Sequence, residues 1–563
     1  MIREILREEI KKALEVLGLE VGAGEIVLEY PSNFDFGDYS TNVAMVLAKK
    51  NGQSPKNLAR QIVSKILEAG NENIKDVQVA GPGFINIYLS EKFFVENLRK
   101  IISVEGDYGL GQILNGKKVM VEYTDPNPFK EFHIGHLMSN TIGEALSRII
   151  EASGAEIKRA CYQGDIGLHV AKAIWGYRQN QKKTDLTAGD WGKFYAIGAK
   201  AYDESEDLKK EINEINRQIY ERSDPAINEA YDSGRKVSLV YFETIYRRLG
   251  TNFDFYFFES ETGEIGKKIV EEGLVKNVFE KSDGAIVFRA ENYDSHLHTR
   301  VFINSLGLPT YEAKELGLVE LKHEKYPYDI SVSVTGNEIV GYFKVVLKAL
   351  EQLRPELVTK IKHVAHGMLR LPTGKMSSRT GDVVIAELLI SEAKKKVSEK
   401  IIDRELSSEE KEKITEAVAI GALKYSILKQ SAGRDIVFDF DKSLSFEGDS
   451  GPYLQYSYAR AKSVLAKAGE FSDDGFKLKA EISEVEKVLS RFPEVVERAY
   501  LELAPQHLTT YLISLAGVFN SYYSKNKIIG SEAESYRLTL TEAVSKVLAK
   551  GLSLLGIPVL EKM

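Results

Sequence analysis

The sequence holds a single cysteine, Cys161, among its 563 residues. One thiol cannot form an internal disulfide, and it cannot build the kind of zinc site that uses several cysteines. We therefore expect no structural metal, and nothing in the sequence calls for an oxidising compartment.

Long apolar runs are also missing. No stretch reaches the roughly 18 consecutive apolar residues of a transmembrane helix. Residues 1–14 alternate charged with apolar side chains, whereas a signal peptide needs an uninterrupted apolar segment. We expect an amphipathic helix at this end of the chain, no membrane association, and a cytoplasmic protein.

The sequence has no excess of positive charge. It contains 75 Lys and Arg against 82 Asp and Glu, a formal net charge of −7. Net charge therefore counts mildly against a nucleic-acid binder, and a nucleic-acid partner would have to use local basic faces. With 43% hydrophobic residues, the chain is too long for one core, and at roughly 150 residues per domain it should form about three or four.

The segment 122–136, E-Y-T-D-P-N-P-F-K-E-F-H-I-G-H, predicts a strand, a turn and a helix start. An apolar run precedes it, two prolines interrupt it, and a helical apolar period follows through residues 137–150. His133 and His136 should then lie at a helix N-terminus after a strand, where an open α/β sheet binds phosphate-bearing ligands. Gly135 between them leaves room for a nucleotide. Taken alone, the two histidines could equally be an ordinary surface pair.

A second motif, G-K-M-S-S-R at residues 374–379, changes that balance. Together the two motifs resemble the paired nucleotide signatures of class I aminoacyl-tRNA synthetases, H-I-G-H and a variant of K-M-S-K-S. Ser378 replaces the second lysine of that pattern, and Lys130 provides a lysine just before H-I-G-H, as in some arginyl enzymes. The resemblance implies a catalytic group, consisting of Lys130, His133, His136, Lys375 and Ser377, and an ATP-binding group, consisting of Gly135, Met368 and Met376.

The segment 309–318 predicts a helix on which Tyr311 and Glu315 share one face. A carboxylate beside a phenol suits a guanidinium, although an ordinary helix surface would show the same spacing. The segment is similar to one in arginyl-tRNA synthetases, where Asp usually stands in place of Glu315; Ile339 also replaces a frequent Gln. The resemblance implies an arginine-binding group, consisting of Glu122, Tyr123, Asn127, His133, Tyr311 and Glu315.

Both ends of the chain extend the resemblance to this family. The G-D-Y-S-T-N and A-G-P-G-F-I-N segments are similar to its additional N-terminal domain, and Y-L-Q-Y-S-Y-A-R is similar to its anticodon-binding domain. The helical periodicity after residue 451 by itself fits a dimerisation or docking bundle equally well. The resemblance makes Tyr456, Tyr458 and Arg460 tRNA-binding residues, through stacking and phosphate contact.

We therefore predict a multidomain α/β protein with a Rossmann-like class I core. The predicted ranges are an N-terminal α+β domain at 1–110, a catalytic domain at 111–375, a signature loop and helical stem at 376–450, and an all-α anticodon-binding domain at 451–563. A charged helical passage at about 177–250 is expected to be an insertion between the two halves of the nucleotide fold.

The resemblance implies an arginine–tRNA ligase that uses ATP with Mg²⁺, with tRNA(Arg) and L-arginine as its other substrates. It further implies that activation requires bound tRNA, and we expect a monomer. Three alternatives remain at this point. They are another class I synthetase, a non-catalytic tRNA-binding relative that kept the fold, and a nucleotidyltransferase of the same core superfamily.

Overall fold

A computed structural model describes residues 1–22, 24–104, 106–180, 185–371, 384–401, 407–469 and 481–563. The N-terminal domain packs helices against a small antiparallel sheet of order β1-β3-β2. Its elements are α1 (Ile2–Val16), β1 (Tyr39–Thr41), α2 (Val43–Asn51), α3 (Pro55–Ala69), β2 (Ile74–Ala80), β3 (Phe84–Leu89) and α4 (Glu91–Ser103). The predicted amphipathic helix is confirmed in α1, because Leu6, Ile10 and Leu14 lie at helical spacing and are fully buried.

The central domain is built on a five-stranded parallel sheet. Its strands are β4 (Lys118–Glu122), β5 (Glu156–Gln163), β6 (Phe255–Phe258), β10 (Ile330–Gly336) and β11 (Ile361–His366). Their spatial order is β11-β10-β4-β5-β6, so the chain leaves β4 in one direction and later returns to its other side. The switch point between β4 and β10 is where such sheets bind ligands, beyond the carboxyl ends of the strands.

Helices cover both faces of this sheet, and some of them make up the helical passage predicted at about 177–250. The first helices are α5 (Ile134–Ala152), α6 (Leu168–Arg178), α7 (Ala188–Glu204), α8 (Glu206–Glu221) and α9 (Pro225–Leu249). In α8, Ile212, Ile215 and Ile219 are buried while Asp207 and Lys210 are exposed, so the charges do form a solvated face. The predicted position between the two halves of the fold is wrong. The passage connects β5 to β6, which are neighbours in one half of the sheet.

A three-stranded antiparallel sheet, which the sequence pattern did not predict, follows β6. It comprises β7 (Glu280–Ser282), β8 (Ala285–Phe288) and β9 (Arg300–Ile303), and its neighbours are α10 (Glu259–Val275), α11 (Tyr311–Lys325), α12 (Val340–Leu353) and α13 (Pro355–Val358). Its buried side chains form a separate apolar cluster with α11 and α12. This packing fixes the end of α11 that carries Tyr311 and Glu315.

Among the described residues after β11, the regular elements are helices and one short parallel pair of strands, β12 (Leu369–Arg370) and β13 (Ile436–Val437). The helices are α14 (Ala386–Lys400), α15 (Ser408–Leu428), α16 (Phe440–Ser443), α17 (Gly451–Ala468), α18 (Glu484–Leu489), α19 (Phe492–Leu501), α20 (Gln506–Lys525) and α21 (Glu534–Leu554). The predicted C-terminal helical bundle is confirmed. Its core is continuous with that of the central domain, where α5 packs against α15, α19 and α21.

Across the described ranges, no helix is both long and apolar enough to cross a membrane.

Candidate active site

A crevice of about 570 Å³ opens at the carboxyl ends of β4, β5 and β10, where the sheet topology places a ligand. Among its lining residues are Glu122, Thr124, Asp125, Asn127, His133, Gly135, His136, Tyr162, Tyr311, Glu315, Thr335, Ile339, Tyr342 and His366. The structure thus brings the first histidine motif and the Tyr311–Glu315 face into one cavity, although they lie far apart in the sequence.

His133 and His136 are held at the N-terminus of α5. His133 is the N-cap, and the two rings stack with centroids 3.6 Å apart. The backbone N–H of Gly135 donates to Nδ1 of His133 over 3.1 Å, and the N–H of His133 donates to Nδ1 of His136 over 3.2 Å. Because each Nδ1 accepts a hydrogen bond, the proton of each neutral ring lies on Nε2.

The surroundings of these rings keep them neutral. Burial lowers the pKa of His133 to about 4, and the nearby Lys130 ammonium contributes to the shift. Burial also lowers the pKa of His136, with further contributions from His133 and Lys130. Each ring is therefore an uncharged imidazole whose Nε2–H can donate a hydrogen bond to an anion.

Three carboxyl groups, Glu122, Asp125 and Glu315, form what we call the carboxylate cluster at the base of the crevice. Burial raises the pKa of Asp125, and the charge of Glu122 raises it further. The same two causes raise the pKa of Glu315 to about 8. The cluster is therefore partly protonated at neutral pH, and a bound cation would favour its ionised form.

One buried lysine neutralises part of this cluster. Lys322 Nζ donates to the Glu122 carboxylate over 2.5 Å, and both side chains are almost fully buried. Burial opposes the charge on Lys322, but attraction to Glu122 outweighs it and raises the lysine pKa. Within the cluster, Glu122 is thus paired with a lysine, whereas Asp125 accepts a hydrogen bond from the backbone N–H of Tyr162 over 2.7 Å and Glu315 has a raised pKa. Sequence reasoning missed Lys322, although it follows Glu315 by two helical turns and so lies on the same face of α11.

Tyr311 lies at the mouth of the crevice and is 61% exposed, whereas Glu315 is 8% exposed. The two residues share one face of α11, as predicted, and both line the crevice. Tyr342, which the sequence analysis did not identify, donates from its hydroxyl to the Tyr311 carbonyl over 3.0 Å and also approaches Glu315. Ile339 contributes an apolar side chain to the same wall.

Tyr123 does not belong to this group, and its prediction as an arginine contact is wrong. Its side chain is fully buried in the apolar core, beside Phe253. Its hydroxyl donates to Glu144 over 2.5 Å. Neighbouring side chains of an extended backbone point to opposite faces, so Tyr123, directly after β4, faces the core while Glu122 faces the crevice.

Two other predicted residues lie near the crevice without lining it. Lys130 Nζ lies 4.5 Å from the ring centroid of Tyr195, close enough to the histidines to influence their pKa values. The backbone N–H of Met368 donates to Asp435, and its carbonyl accepts from Ile436, so both backbone groups already have partners. Lys375, Met376 and Ser377 lie outside the described residues.

A second cavity, of about 710 Å³, lies in the C-terminal bundle. Tyr456 and Arg460 line it together with Tyr523, and Arg460 lies over both tyrosine rings, at 4.8 and 5.3 Å from their centroids. Lys467 and Lys527 add positive charge. The prediction that Tyr458 contacts tRNA is wrong. Its side chain is 7% exposed and packs in the core, about 200° around α17 from Tyr456.

Three known families match successive parts of the chain. The family described as "Arginyl tRNA synthetase N terminal domain" matches residues 2–89, "tRNA synthetases class I (R), catalytic domain" matches 97–440, and "DALR anticodon binding domain" matches 454–563. Arginine–tRNA ligases of Clostridium perfringens and Clostridium acetobutylicum are each 32% identical to the chain, and each match covers 100% of both proteins.

Solved structures give the same result at the level of the fold. The Thermus thermophilus arginyl-tRNA synthetase superposes with a TM-score of 0.79 at 25% identity, covering 100% of both chains. The Plasmodium falciparum arginyl-tRNA synthetase superposes with a TM-score of 0.82 at 20% identity, covering 100% of this chain and 98% of that one. The full-length matches and the catalytic-domain match together show that the chain belongs to the arginine–tRNA ligase family of class I aminoacyl-tRNA synthetases.

Proposed function

We propose that the crevice between β4 and β10 binds L-arginine and ATP side by side and carries out the two steps of arginine–tRNA ligation. In the first step a carboxylate oxygen of arginine attacks the α-phosphorus of ATP, and pyrophosphate leaves. In the second, a hydroxyl of the 3′-terminal ribose of tRNA(Arg) attacks the activated carbonyl, and AMP leaves. Such chemistry depends on positioning and charge stabilisation more than on a protein nucleophile.

The side chain of arginine is assigned to the base of the crevice. A guanidinium is a planar cation with five N–H donors, and Glu315 offers a buried carboxylate for it. Asp125, with its raised pKa, adds acceptor capacity on the same side. Tyr311 at the mouth covers the aliphatic stem. Asn127 and Glu122 are assigned to the α-amino and carboxylate ends.

ATP is assigned to the side of the crevice next to α5. The helix N-terminus and the Nε2–H groups of His133 and His136 supply donors for the α-phosphate and the ribose. Both rings are neutral, and their Nε2–H groups can donate hydrogen bonds to the negative charge that develops on the phosphate. A Cβ at Gly135 would lie 3.0 Å from the His133 ring, so glycine keeps this ring in place. Lys130, Lys375 and Ser377 are assigned to the pyrophosphate.

Mg²⁺ is proposed to arrive with ATP. Within the described ranges, no group of three or more His, Cys, Asp or Glu side chains is arranged to hold a metal ion. Phosphate oxygens and water would hold most of the ion's coordination positions, as Mg²⁺ prefers. It would neutralise phosphate charge during departure of pyrophosphate.

The tRNA is proposed to contact the cavity of the C-terminal bundle through Arg460 and Tyr456. A guanidinium over two rings provides both a phosphate partner and stacking surfaces for a base. Lys467 and Lys527 supply the local basic charge that the net charge of −7 does not. We propose a cytoplasmic monomer.

The convergence of the neutral histidine pair and the carboxylate cluster in one crevice is the observation that carries this assignment. The test is ATP–pyrophosphate exchange with each of the twenty amino acids, with and without total tRNA. Exchange with arginine alone, and only when tRNA is present, is expected. Exchange with another amino acid would assign the crevice to a different substrate, and no exchange under any condition would contradict a catalytic role.

A further inference from the structure

Thr124, which lines the crevice directly after β4, has a strained backbone. Its φ angle is +84°, and the next residue, Asp125, has a φ of +47°. Positive φ is rare for a β-branched residue and persists only where neighbouring contacts enforce it. The strain has a use here, because this turn presents the Asp125 carboxyl to the crevice beside Glu315.

Two buried hydrogen bonds hold Thr124 in this conformation. Its backbone N–H donates to the Ser139 hydroxyl over 3.0 Å, and its own hydroxyl accepts from the Asn140 amide over 3.0 Å. Asn140 is fully buried on α5, and its amide oxygen accepts from the Thr251 hydroxyl over 3.1 Å. Asn140 thus bridges the strained turn to Thr251, which directly follows the end of α9.

The side chains of Arg148 and Lys424 in turn connect the end of α9 to the C-terminal bundle. Arg148 donates to the carbonyls of Gly250 and Ser553, each over 3.0 Å. Lys424, 1% exposed, donates to the carbonyls of Leu249 and Gly556 over 2.6 and 2.7 Å. Leu249 and Gly250 lie at or just after the end of α9, and Ser553 and Gly556 lie at or just after the end of α21, so each of the two side chains joins one end to the other. Moving α21 would therefore strain the contacts of Thr251.

Arg148 also reaches the crevice strand by a second route. Its Nε donates to the Glu144 carboxylate over 2.7 Å, and the other Glu144 oxygen accepts from the Tyr123 hydroxyl. Tyr123 lies between Glu122 and Thr124, which both line the crevice. The Glu144 carboxylate and the Tyr123 hydroxyl are buried, so breaking their hydrogen bond would leave polar groups unpaired in the interior.

We infer that Asn140 and Thr251 are positioning residues for arginine binding. They hold the turn at Thr124 that presents Asp125 to the crevice. Through Arg148, the position of Thr251 also depends on the C-terminal bundle. The inference rests on the proposed function, because it assumes that arginine occupies the crevice. It concerns residues that contact neither substrate. Their effect should therefore appear in arginine affinity, while ATP, bound beside α5, should be little affected.

Thr251→Val is the most direct test, because valine keeps the shape of threonine and removes only the hydroxyl. In ATP–pyrophosphate exchange with saturating tRNA, the KM for arginine should rise about tenfold, while kcat and the KM for ATP stay within about twofold. Thr251→Ser, which keeps the hydroxyl, should restore the parent value. An unchanged arginine KM in Thr251→Val would overturn the inference, whatever happens to the melting temperature.

Arg148→Lys tests the link to the bundle and also serves if Thr251→Val folds poorly. Lysine keeps the charge beside Glu144 but cannot donate to both carbonyls at once. We expect the KM for arginine to rise about threefold in Arg148→Lys. In the double variant Arg148→Lys/Thr251→Val, the KM should rise by less than the product of the two single effects, because both substitutions act through one connection. An unchanged arginine KM in Arg148→Lys, or fully independent effects, would refute the link.

Glu315→Gln in the same assay separates this inference from the proposed function. If it raises the arginine KM while Thr251→Val does not, the positioning role fails and the crevice assignment stands. If neither variant changes the arginine KM, the assignment of arginine to the crevice itself fails.

Discussion

The ammonium of Lys322 lies 2.5 Å from a Glu122 carboxylate oxygen, and their side chains are 2% and 4% exposed. The pair joins α11 to the end of β4 directly beneath the crevice. A buried ion pair adds little net stability over an apolar pair, but removing one partner leaves the other charge buried and uncompensated. The pair therefore matters most as a constraint on where Glu122 and Glu315 lie.

Lys322→Met should lower the free energy of unfolding by about 3–5 kcal/mol, because it strands the Glu122 carboxylate in the interior. Urea denaturation followed by circular dichroism measures this loss. Lys325→Met, at the exposed end of the same helix, is the matched control and should change stability by no more than about 0.5 kcal/mol. Equal stability of the two variants would contradict the role given to the ion pair.

Glu315→Gln should raise the KM for arginine by about a hundredfold, because the guanidinium loses its charged acceptor. Glu315→Asp keeps the charge with a shorter reach and should show a smaller loss. Exchange kinetics at saturating ATP and tRNA provide the measurement. Glu324→Gln, on the exposed part of α11, should match the parent, and a comparable loss in that control would show that the effect is not specific to the crevice.

Sequence reasoning placed His133 and His136 at a helix start, as the structure shows, because the signals for that start are local. A strand, two prolines and a helical apolar period fix where α5 begins, and His133 and His136 follow from that start. The tautomer of each ring could not be predicted, since it depends on which backbone N–H groups reach Nδ1. Tyr123 was misassigned because the family pattern was followed without the alternation of side chains at the end of a strand.

The carboxylate cluster could be predicted only in part. Helical spacing placed Glu315 on one face with Tyr311, and the family resemblance singled it out; the same spacing extended two turns would also have found Lys322. Predicting that Asp125 lines the crevice would have required the backbone conformation of the turn after β4. Positive φ angles at a Thr-Asp pair have no sequence signature. Tyr342 comes from a different helix, and no local pattern connects it to Glu315. Long-range packing, as in the β5–β6 crossover, stayed out of reach for the same reason.

His136→Ala should lower kcat at saturating substrates by about a hundredfold, as expected for loss of a donor to developing phosphate charge. His136→Gln should retain more activity, because its amide N–H can reach the position of Nε2–H. Burial lowers the pKa of both histidines, that of His133 to about 4. Titration of a histidine should therefore cause no change of kcat between about pH 5.5 and 8. A limb near pH 6.5 that disappears in His136→Gln would contradict the neutral pair.

Arg460→Met should weaken tRNA binding about tenfold. If Arg460 contacts a phosphate, the slope of the logarithm of the binding constant against the logarithm of the salt concentration should also decrease in magnitude by about 1. Filter binding at several salt concentrations measures both quantities. Lys462→Met, on the same helix but paired with Glu561, is the control and should change neither by much. Tyr458→Phe should leave tRNA binding unchanged, because that ring lies in the core. Loss of affinity without any change in salt slope would place Arg460 in a stacking role.

Arginine binding should release a proton at neutral pH. Burial and the neighbouring Glu122 raise the pKa of free Glu315 to about 8, so below that pH the carboxyl is mostly protonated. The bound guanidinium favours the carboxylate and lowers this pKa, so the affinity for arginine should rise with pH up to about 8 and then level off. Calorimetry in buffers of different ionisation enthalpy should give close to one proton released at about pH 6.5 and clearly less at about pH 8.5. Glu315→Gln should abolish most of this difference, and an equal release in that variant would assign the proton to Asp125, whose pKa is raised by the same burial and the same neighbour.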